Sequence, residues 1–169
     1  QITVTDGSGQ RSVYGIPVYN IYQEEVTFSV AKPTGSEEEK ARRTGLISYT
    51  TDPSDGQRPL YKYGRDNLYS REKMPGYATG YLLTGILSPD YVDLTGDGIT
   101  DDDMGTAVKF NYDRHSKNYK WRAPYDANKA NYNEGHLSDS KDDKGSYVYG
   151  EKELWYLTSI ESKTMIAVF

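Results

Sequence analysis

Cysteine is absent from the 169 residues of this sequence. The chain therefore has neither disulfide bonds nor thiolate ligands, which excludes zinc–cysteine modules, iron–sulfur clusters and cysteine nucleophiles. No apolar run is long enough to cross a bilayer, and the first residues carry no secretory signal pattern. The net charge is -5, and the basic residues are scattered apart from the short run 40–43. The scattered basic residues argue against nucleic acid as a partner, and the lack of a long apolar run argues against insertion into a membrane.

The usual enzyme motifs are also missing. The sequence has no Gly-x-Ser-x-Gly nucleophile elbow, no Gly-x-x-x-x-Gly-Lys-[Ser/Thr] phosphate loop and no Gly-x-Gly-x-x-Gly turn. Its two histidines, His115 and His136, lie in polar stretches and have no metal-ligand spacing, so we interpret both as exposed loop residues. We predict that the chain is not an enzyme.

Tyrosine and glycine dominate what is present, with 17 and 16 residues respectively. Tyrosine, threonine and valine suit a half-buried pleated surface, while glycine, asparagine and aspartate suit the turns between short strands. We predict an all-β fold of antiparallel sheets, sandwich-like or forming a partial β-shell, with long surface loops.

Alternating and β-prone runs give the predicted strands. Pro17 is expected to mark a break or an edge between two of them. The charged stretch 32–44 is predicted to be a loop or a short exposed helix, 61–75 to be irregular, and 122–144 to be a long surface loop. The runs 107–112 and 119–121 are expected to pair as a hairpin. The predicted strands are 13–16, 18–22, 25–30, 45–50, 77–87, 107–112, 119–121, 146–149, 153–160 and 164–169.

The length is that of one domain, so we predict a single β-rich domain over 1–169, or alternatively two sub-lobes at 1–75 and 76–169. The chain begins with Gln1 and ends in the apolar run Met165–Phe169. Both ends favour an excised piece of a larger protein, whose flanking domains would be its first partners.

An acidic loop with the sequence Asp-Leu-Thr-Gly-Asp-Gly-Ile-Thr-Asp occupies residues 93–101. Oxygens at loop positions 1, 3, 5 and 9 and a carbonyl at position 7 would curl around one point, and glycine at position 6 permits the sharp turn. Ca²⁺ takes about 6 to 8 such oxygens. Repulsion among the neighbouring aspartates also favours a cation. The predicted structural Ca²⁺ ligands are Asp93, Thr95, Asp97, Ile99 and Asp101, with Asp102 or Asp103 as a further ligand.

The alternative is an ordinary turn whose carboxylates are solvated. The loop is not an EF-hand, because position 12 is Met104 where a bidentate glutamate is required. It resembles the shorter Asp-x-[Asp/Asn/Thr]-x-Asp-Gly-x-x-Asp calcium loops of integrin-like FG-GAP propeller repeats. The resemblance implies an ion that fixes the link between two strands and does no chemistry.

Two further site types have candidate residues. A glycosidase would need two facing carboxylates, for which Glu134, Glu151, Glu153 and Glu161 are available, although many acids at the surface make a chance match the simpler interpretation. Exposed aromatic side chains could stack on sugar rings, or they could pack across strands with their hydroxyls in water. The aromatic candidates are Tyr61, Tyr63, Tyr69, Tyr77, Tyr119, Trp121, Tyr125, Tyr132, Tyr147, Tyr149, Trp155 and Tyr156.

Four segments, 13–28, 86–103, 109–112 and 149–157, resemble short stretches of very large secreted bacterial proteins that also carry RHS or YD repeats. The YD signature itself does not occur here. The resemblance implies an extracellular, strand-rich scaffold segment related to toxin shells or surface-delivery proteins. We therefore predict a non-enzymatic structural or interaction module of a secreted or cell-surface bacterial protein, stabilised by calcium. The first competing hypothesis is a carbohydrate-binding module, and the second, weaker one is a hydrolase. The expected partner is another protein or a glycan.

Overall fold

The computed structural model describes residues 1–56 and 58–169. They form two compact units: unit 1 contains 1–21, 76–119 and 152–169, and unit 2 contains 22–75 and 120–151. These boundaries differ from the alternative sub-lobes at 1–75 and 76–169, because three long strands each contribute residues to both units.

Nearly all the regular structure is β. Every strand pairing that has a defined register is antiparallel. The predicted all-β antiparallel class is therefore confirmed, while the choice between sandwich and shell stays a prediction. The strands are β1 (Ile2–Thr5), β2 (Arg11–Ser29), β3 (Leu46–Ser48), β4 (Tyr69–Met74), β5 (Tyr77–Leu87), β6 (Ala107–Ala123), β7 (Lys129–Asn133), β8 (Lys144–Ser162) and β9 (Ile166–Val168), and the helix α1 spans Ser36–Thr44.

Unit 1 is built on the first half of β2, which pairs with β1 on one side and β5 on the other. β5 then pairs with the start of β6, and β9 pairs with the end of β8. Its buried cluster is small, consisting of Leu87, Tyr91 and Ala107, with Val13 and Ile99 packed against it. So small a core leaves much apolar surface on the strands exposed.

Unit 2 has the more deeply buried core. The second half of β2 pairs with β4, and β3, β7 and β8 follow one another in a second set of antiparallel pairs. Period-two alternation at the end of β2 turns Val26 and Phe28 inward, and Val30, directly after the strand, packs with them against Ile47 and Ala130. Val26, Phe28 and Ala130 have no exposed surface at all.

The predicted break at Pro17 is wrong. Pro17 lies inside the continuous strand β2 and pairs with Tyr81 of β5. Register shifts between Tyr14 and Ile16 and between Val18 and Tyr19 flank it. These irregularities accommodate a residue that cannot donate to the ladder.

Other strand boundaries also differ from the prediction, because the observed strands are longer than the predicted ones or lie in predicted loops. The predicted hairpin of 107–112 with 119–121 is wrong, since both runs belong to β6, and 146–149 and 153–160 are likewise one strand, β8. Residues 113–119 of β6 are mostly exposed, so no hydrophobic alternation marks them as strand. The predicted loop 122–144 contains β7, and the predicted irregular stretch 61–75 contains β4.

The exposed helix predicted as one option for 32–44 is present as α1. Acidic residues fill its first turn and Arg42 and Arg43 its last, which suits the helix dipole. Gly45 ends it in the left-handed conformation. No helix within the described residues is long and apolar enough to span a membrane.

Candidate functional sites

The acidic loop of unit 1 is closed at its base by an antiparallel bridge. Val92 and Met104 exchange two backbone hydrogen bonds of 3.1 Å each. Gly96 and Gly98 both have positive φ, which lets the chain reverse sharply within the loop. The predicted ligand residues are thus brought into a single short loop.

Asp103 is the inner anchor of this loop and has only 3% of its surface exposed. Its Oδ2 accepts hydrogen bonds from the Tyr91 hydroxyl at 2.5 Å and from the Thr100 N–H at 2.9 Å, and its Oδ1 accepts one from the Leu94 N–H at 3.2 Å. These donors, the tyrosine first, lower the pKa of Asp103. Three protein donors therefore already stabilise a carboxylate that was predicted as an optional calcium ligand.

The outer aspartates also bond within the loop. Asp93 accepts hydrogen bonds from Gly96 N–H at 2.7 Å and Gly98 N–H at 3.1 Å. Asp97 accepts one from the Thr95 hydroxyl at 2.6 Å. Two predicted ligands, Thr95 and Asp97, are therefore in direct contact, and a cation would have to compete with these internal donors.

The remaining predicted ligands are spread around the loop. Asp101 is exposed, Asp102 accepts a hydrogen bond from the Thr100 hydroxyl at 2.6 Å, and the Ile99 side chain packs on the core of unit 1. Within 1–56 and 58–169, no group of three or more His, Cys, Asp or Glu side chains is placed to hold a metal ion.

The glutamates considered for hydrolysis have separate partners. Glu134 pairs with Arg42 at 3.1 Å and Glu151 accepts a hydrogen bond from Tyr149 at 2.9 Å. Glu153 is buried and pairs with Arg114 at 3.0 Å, and Glu161 accepts a bond from the Asn111 amide at 2.7 Å. His115 does not lie in a loop as predicted but in β6, where its ring makes an edge contact with Tyr156 at 5.3 Å, and His136 lies in the exposed loop before β8.

Unit 2 contains a concave site with a volume of about 570 Å³, which is typical of small-molecule sites. Five tyrosines, three arginines and two acidic residues line it within the described part of the chain. We name it the tyrosine–arginine pocket, after members that include Tyr22, Glu24, Arg58, Arg71, Tyr147 and Tyr149.

One wall of this pocket is organised around Glu24, whose side chain is only 9% exposed. Its Oε2 accepts hydrogen bonds from Arg71 Nη2, at 2.7 Å, and from the Tyr22 hydroxyl. Burial raises the pKa of Glu24, but the bonds from Arg71 and Tyr22 outweigh burial and the pKa is lowered. The wall thus presents a charged, fixed carboxylate.

A second part of the lining is a group of stacked side chains. The Arg122 guanidinium lies over the Tyr147 ring at 4.4 Å, and Tyr49 stacks on Tyr147 at 5.9 Å with an angle of 9° between the rings. Arg122 Nη2 also donates to the Tyr49 hydroxyl at 3.1 Å and to the Lys129 carbonyl at 2.9 Å. Burial raises the pKa of Tyr147 to about 12, so its hydroxyl keeps its proton.

The sequence named Tyr69, Tyr147 and Tyr149 as aromatic candidates but did not point to Tyr22, Glu24 or the arginines. A signal for Glu24 exists, because it lies two residues before Val26 on the inward face of β2. An acidic residue on a buried face needs a partner and marks a polar site.

Comparison with protein-family models, with curated proteins and with solved structures gave no match. Membership of the FG-GAP or RHS families stays a prediction from sequence. The side chains of the two units therefore carry the functional argument.

Proposed function

We propose that the chain is a non-enzymatic scaffold and interaction module of a large secreted or cell-surface bacterial protein, and that it binds neighbouring polypeptide through sheet edges in unit 1. The secreted or cell-surface location is what the sequence resemblance to RHS or YD-repeat proteins implies. The interaction role is carried by one observation, the exposure of apolar side chains on the short strand β9.

All three residues of β9 are exposed, and so are the residues on either side of it. Ile166 is 62% exposed and Val168 is 76% exposed, and Met165 and Phe169 are similarly uncovered. β9 pairs with β8, and a strand at the edge of a sheet presents unpaired backbone N–H and C=O groups that are a template for pairing with another chain. Addition of a strand supplies backbone hydrogen bonds and covers such side chains, which is a common mode of peptide recognition.

Sedimentation velocity over a range of concentrations tests this role, with a second copy acting as the neighbouring polypeptide. We expect the unaltered chain to associate as its concentration rises and the double variant Ile166→Lys, Val168→Lys to remain monomeric. Leu137→Lys is the matched control, because Leu137 is an equally exposed apolar residue in a loop. Monomeric behaviour of the unaltered chain, or association of the double variant, contradicts the proposal.

We propose in addition that Ca²⁺ binds the acidic loop as a structural ion. Support comes from the spacing of Asp93, Thr95, Asp97 and Asp101 and from their common position in one exposed loop. Binding requires Asp93 and Asp97 to exchange their internal hydrogen bonds for contacts with the ion. The ion would then hold the segment between β5 and β6.

Thermal unfolding with excess Ca²⁺ and with a chelator tests the ion. A ligand that binds only the folded state at about 100 times its Kd adds ~2.7 kcal/mol, which raises the Tm by roughly 5 to 10 °C for a chain of this size. Asp97→Asn should abolish the increase, and Mg²⁺ should not reproduce it. An identical Tm in calcium and chelator rules out the structural ion and leaves the sheet-edge role untouched.

A further inference from the structure

We propose that the tyrosine–arginine pocket of unit 2 is a binding site for a neutral, hydroxyl-rich ligand, namely a short saccharide. The pocket lies in the other unit from β9 and the acidic loop, so this inference is independent of the function proposed above. It depends on the chemistry of the lining and on how firmly the lining is held.

The lining carries hydrogen-bond donors and acceptors side by side. The Glu24 carboxylate is an acceptor, Arg71 is a donor with 44% of its side chain exposed, and the Tyr22 and Tyr149 hydroxyls, which donate to Glu24 and Glu151, can each accept a further hydrogen bond. A sugar hydroxyl likewise donates one hydrogen bond and accepts others. A ligand with several such hydroxyls can bond to both kinds of group, whereas an apolar ligand would cover them without adding a hydrogen bond.

Charge pairing within the pocket disfavours a simple anion. Arg71 is paired with Glu24 at 2.7 Å, and Arg58 is paired with Asp52 at 2.9 Å. Both Nη atoms of Arg122 bond to protein oxygens. The charges of Arg71 and Arg58 are thus matched by carboxylates, and the Arg122 Nη atoms are already bonded to neutral oxygens, so an anion would have to displace existing hydrogen bonds.

The aromatic rings supply the flat surface that a sugar ring needs. Tyr22 and Tyr149 meet edge to face, with their ring centres 6.3 Å apart, and both remain partly exposed in the pocket. The C–H groups on one side of a pyranose pack on such rings, while its hydroxyls reach the polar groups at the rim.

Side chains that are held before the ligand arrives reduce the entropy lost on binding. Glu24 is fixed by Arg71 and Tyr22, and Tyr147 is held by its contacts with Tyr49 and Arg122. Both parts of the lining therefore have the order that a binding site requires.

The test uses the intact chain and a panel of free glucose, galactose, mannose, N-acetylglucosamine, maltose, cellobiose and lactose, followed by a printed glycan array. Binding is measured by saturation-transfer NMR and then by calorimetry for the saccharides that give a signal. We expect at least one saccharide to bind. Glu24→Gln, which keeps the side-chain shape, and Tyr149→Ala, which removes one ring, should each weaken binding by about tenfold or more.

Tyr125→Ala is the matched control, because Tyr125 is a tyrosine of the same unit that is 90% exposed and lies outside the pocket. It should bind as the unaltered chain does. If Glu24→Gln does not fold, as judged by circular dichroism, Tyr149→Ala still provides the test. Absence of saccharide binding in both screens, full binding by Tyr149→Ala, equal loss in Tyr125→Ala, or binding of sulfate without any saccharide would each overturn the proposal.

Discussion

Gly150 on β8 supports the indole ring of Trp121 on β6. A Cβ atom at position 150 would lie 2.7 Å from Cε2 and Nε1 of Trp121, well inside normal contact. The absence of a side chain at this position is therefore what allows the large ring to lie flat on the neighbouring strand.

Gly150→Ala should accordingly destabilise the chain by roughly 1 to 3 kcal/mol, because the ring must move out of its packed position. Gly80→Ala is the control, since no heavy atom lies within 4 Å of its Cβ position, and its stability should stay the same or rise by up to about 1 kcal/mol. Urea denaturation measures both. Equal effects of the two substitutions would contradict the packing described.

The hydrogen bonds of Asp52 predict how the stability of the chain changes at acidic pH. Hydrogen bonds from the Ser54 side chain and backbone, and then from Arg58, lower the pKa of Asp52 to about 2. The unfolded chain has the ordinary aspartate pKa of about 3.9, so it binds more protons between these values. The stabilisation from Asp52 is thus complete above about pH 4 and is lost as the pH falls towards 2.

The difference in unfolding free energy between the unaltered chain and Asp52→Asn should therefore be constant above about pH 4 and shrink below it. Urea denaturation at stepped pH gives this difference, and carboxyl NMR gives the titration midpoint of Asp52 directly. A midpoint near the ordinary aspartate value would show that the bonds from Ser54 and Arg58 are not formed in solution.

Among the elements, the long strands were the hardest to predict from the sequence. The limits of β5 match the prediction, Tyr77–Leu87, because it is apolar and bounded by turn residues. β6 and β8 were each divided in two. The middle residues of β6 are polar and largely exposed, so burial does not impose alternation on them, and the prediction for β8 was interrupted at Gly150, Glu151 and Lys152, none of which is a β-prone residue. β4 was missed for the same reason, since its sequence is Tyr-Ser-Arg-Glu-Lys-Met.

The continuity of β6 can be checked in solution. If 113–118 is strand, the backbone NMR shifts of all six residues should have extended-chain values, with no turn between Asp113 and Asn118. Turn-type shifts at 115–118, flanked by extended values on both sides, would restore the hairpin that the sequence suggested. The strand 77–87 in the same spectrum is the internal reference.

At the scale of the whole molecule, β2, β6 and β8 each contribute residues to both compact units. Disruption of one unit therefore unravels strands on which the other depends. Phe28→Ala in unit 2 should destabilise the chain by roughly 3 to 5 kcal/mol, because Phe28 is fully buried. We expect unit 1 to lose stability with it, in a single transition.

NMR signals of Tyr91 in unit 1 and Tyr147 in unit 2, followed during urea denaturation, give a separate midpoint for each unit. Both midpoints should decrease together in Phe28→Ala and remain unchanged, within about 0.5 kcal/mol, in Leu137→Ala, where the side chain is exposed. A midpoint for Tyr91 that does not move would show that the units unfold independently.

The two candidate sites differ in how far the sequence could reveal them. The acidic loop is contiguous, so its place in the chain was evident, although the internal hydrogen bonds of Asp93, Asp97 and Asp103 were not. The tyrosine–arginine pocket draws on residues from Tyr22 to Tyr149, and only the paired strands bring them together. The spacing of residues along the chain therefore could not predict this site.

The contact between Trp121 and Gly150 has an optical consequence. The Trp121 indole N–H is buried and has no hydrogen-bond partner among the described residues, whereas the Trp155 N–H points at the Glu153 carboxylate, 3.3 Å away. The two indoles, one in each unit, should therefore fluoresce at different wavelengths, with Trp121 towards the blue. This difference in emission wavelength would allow intrinsic tryptophan fluorescence to follow the unfolding of each unit separately, without an added dye.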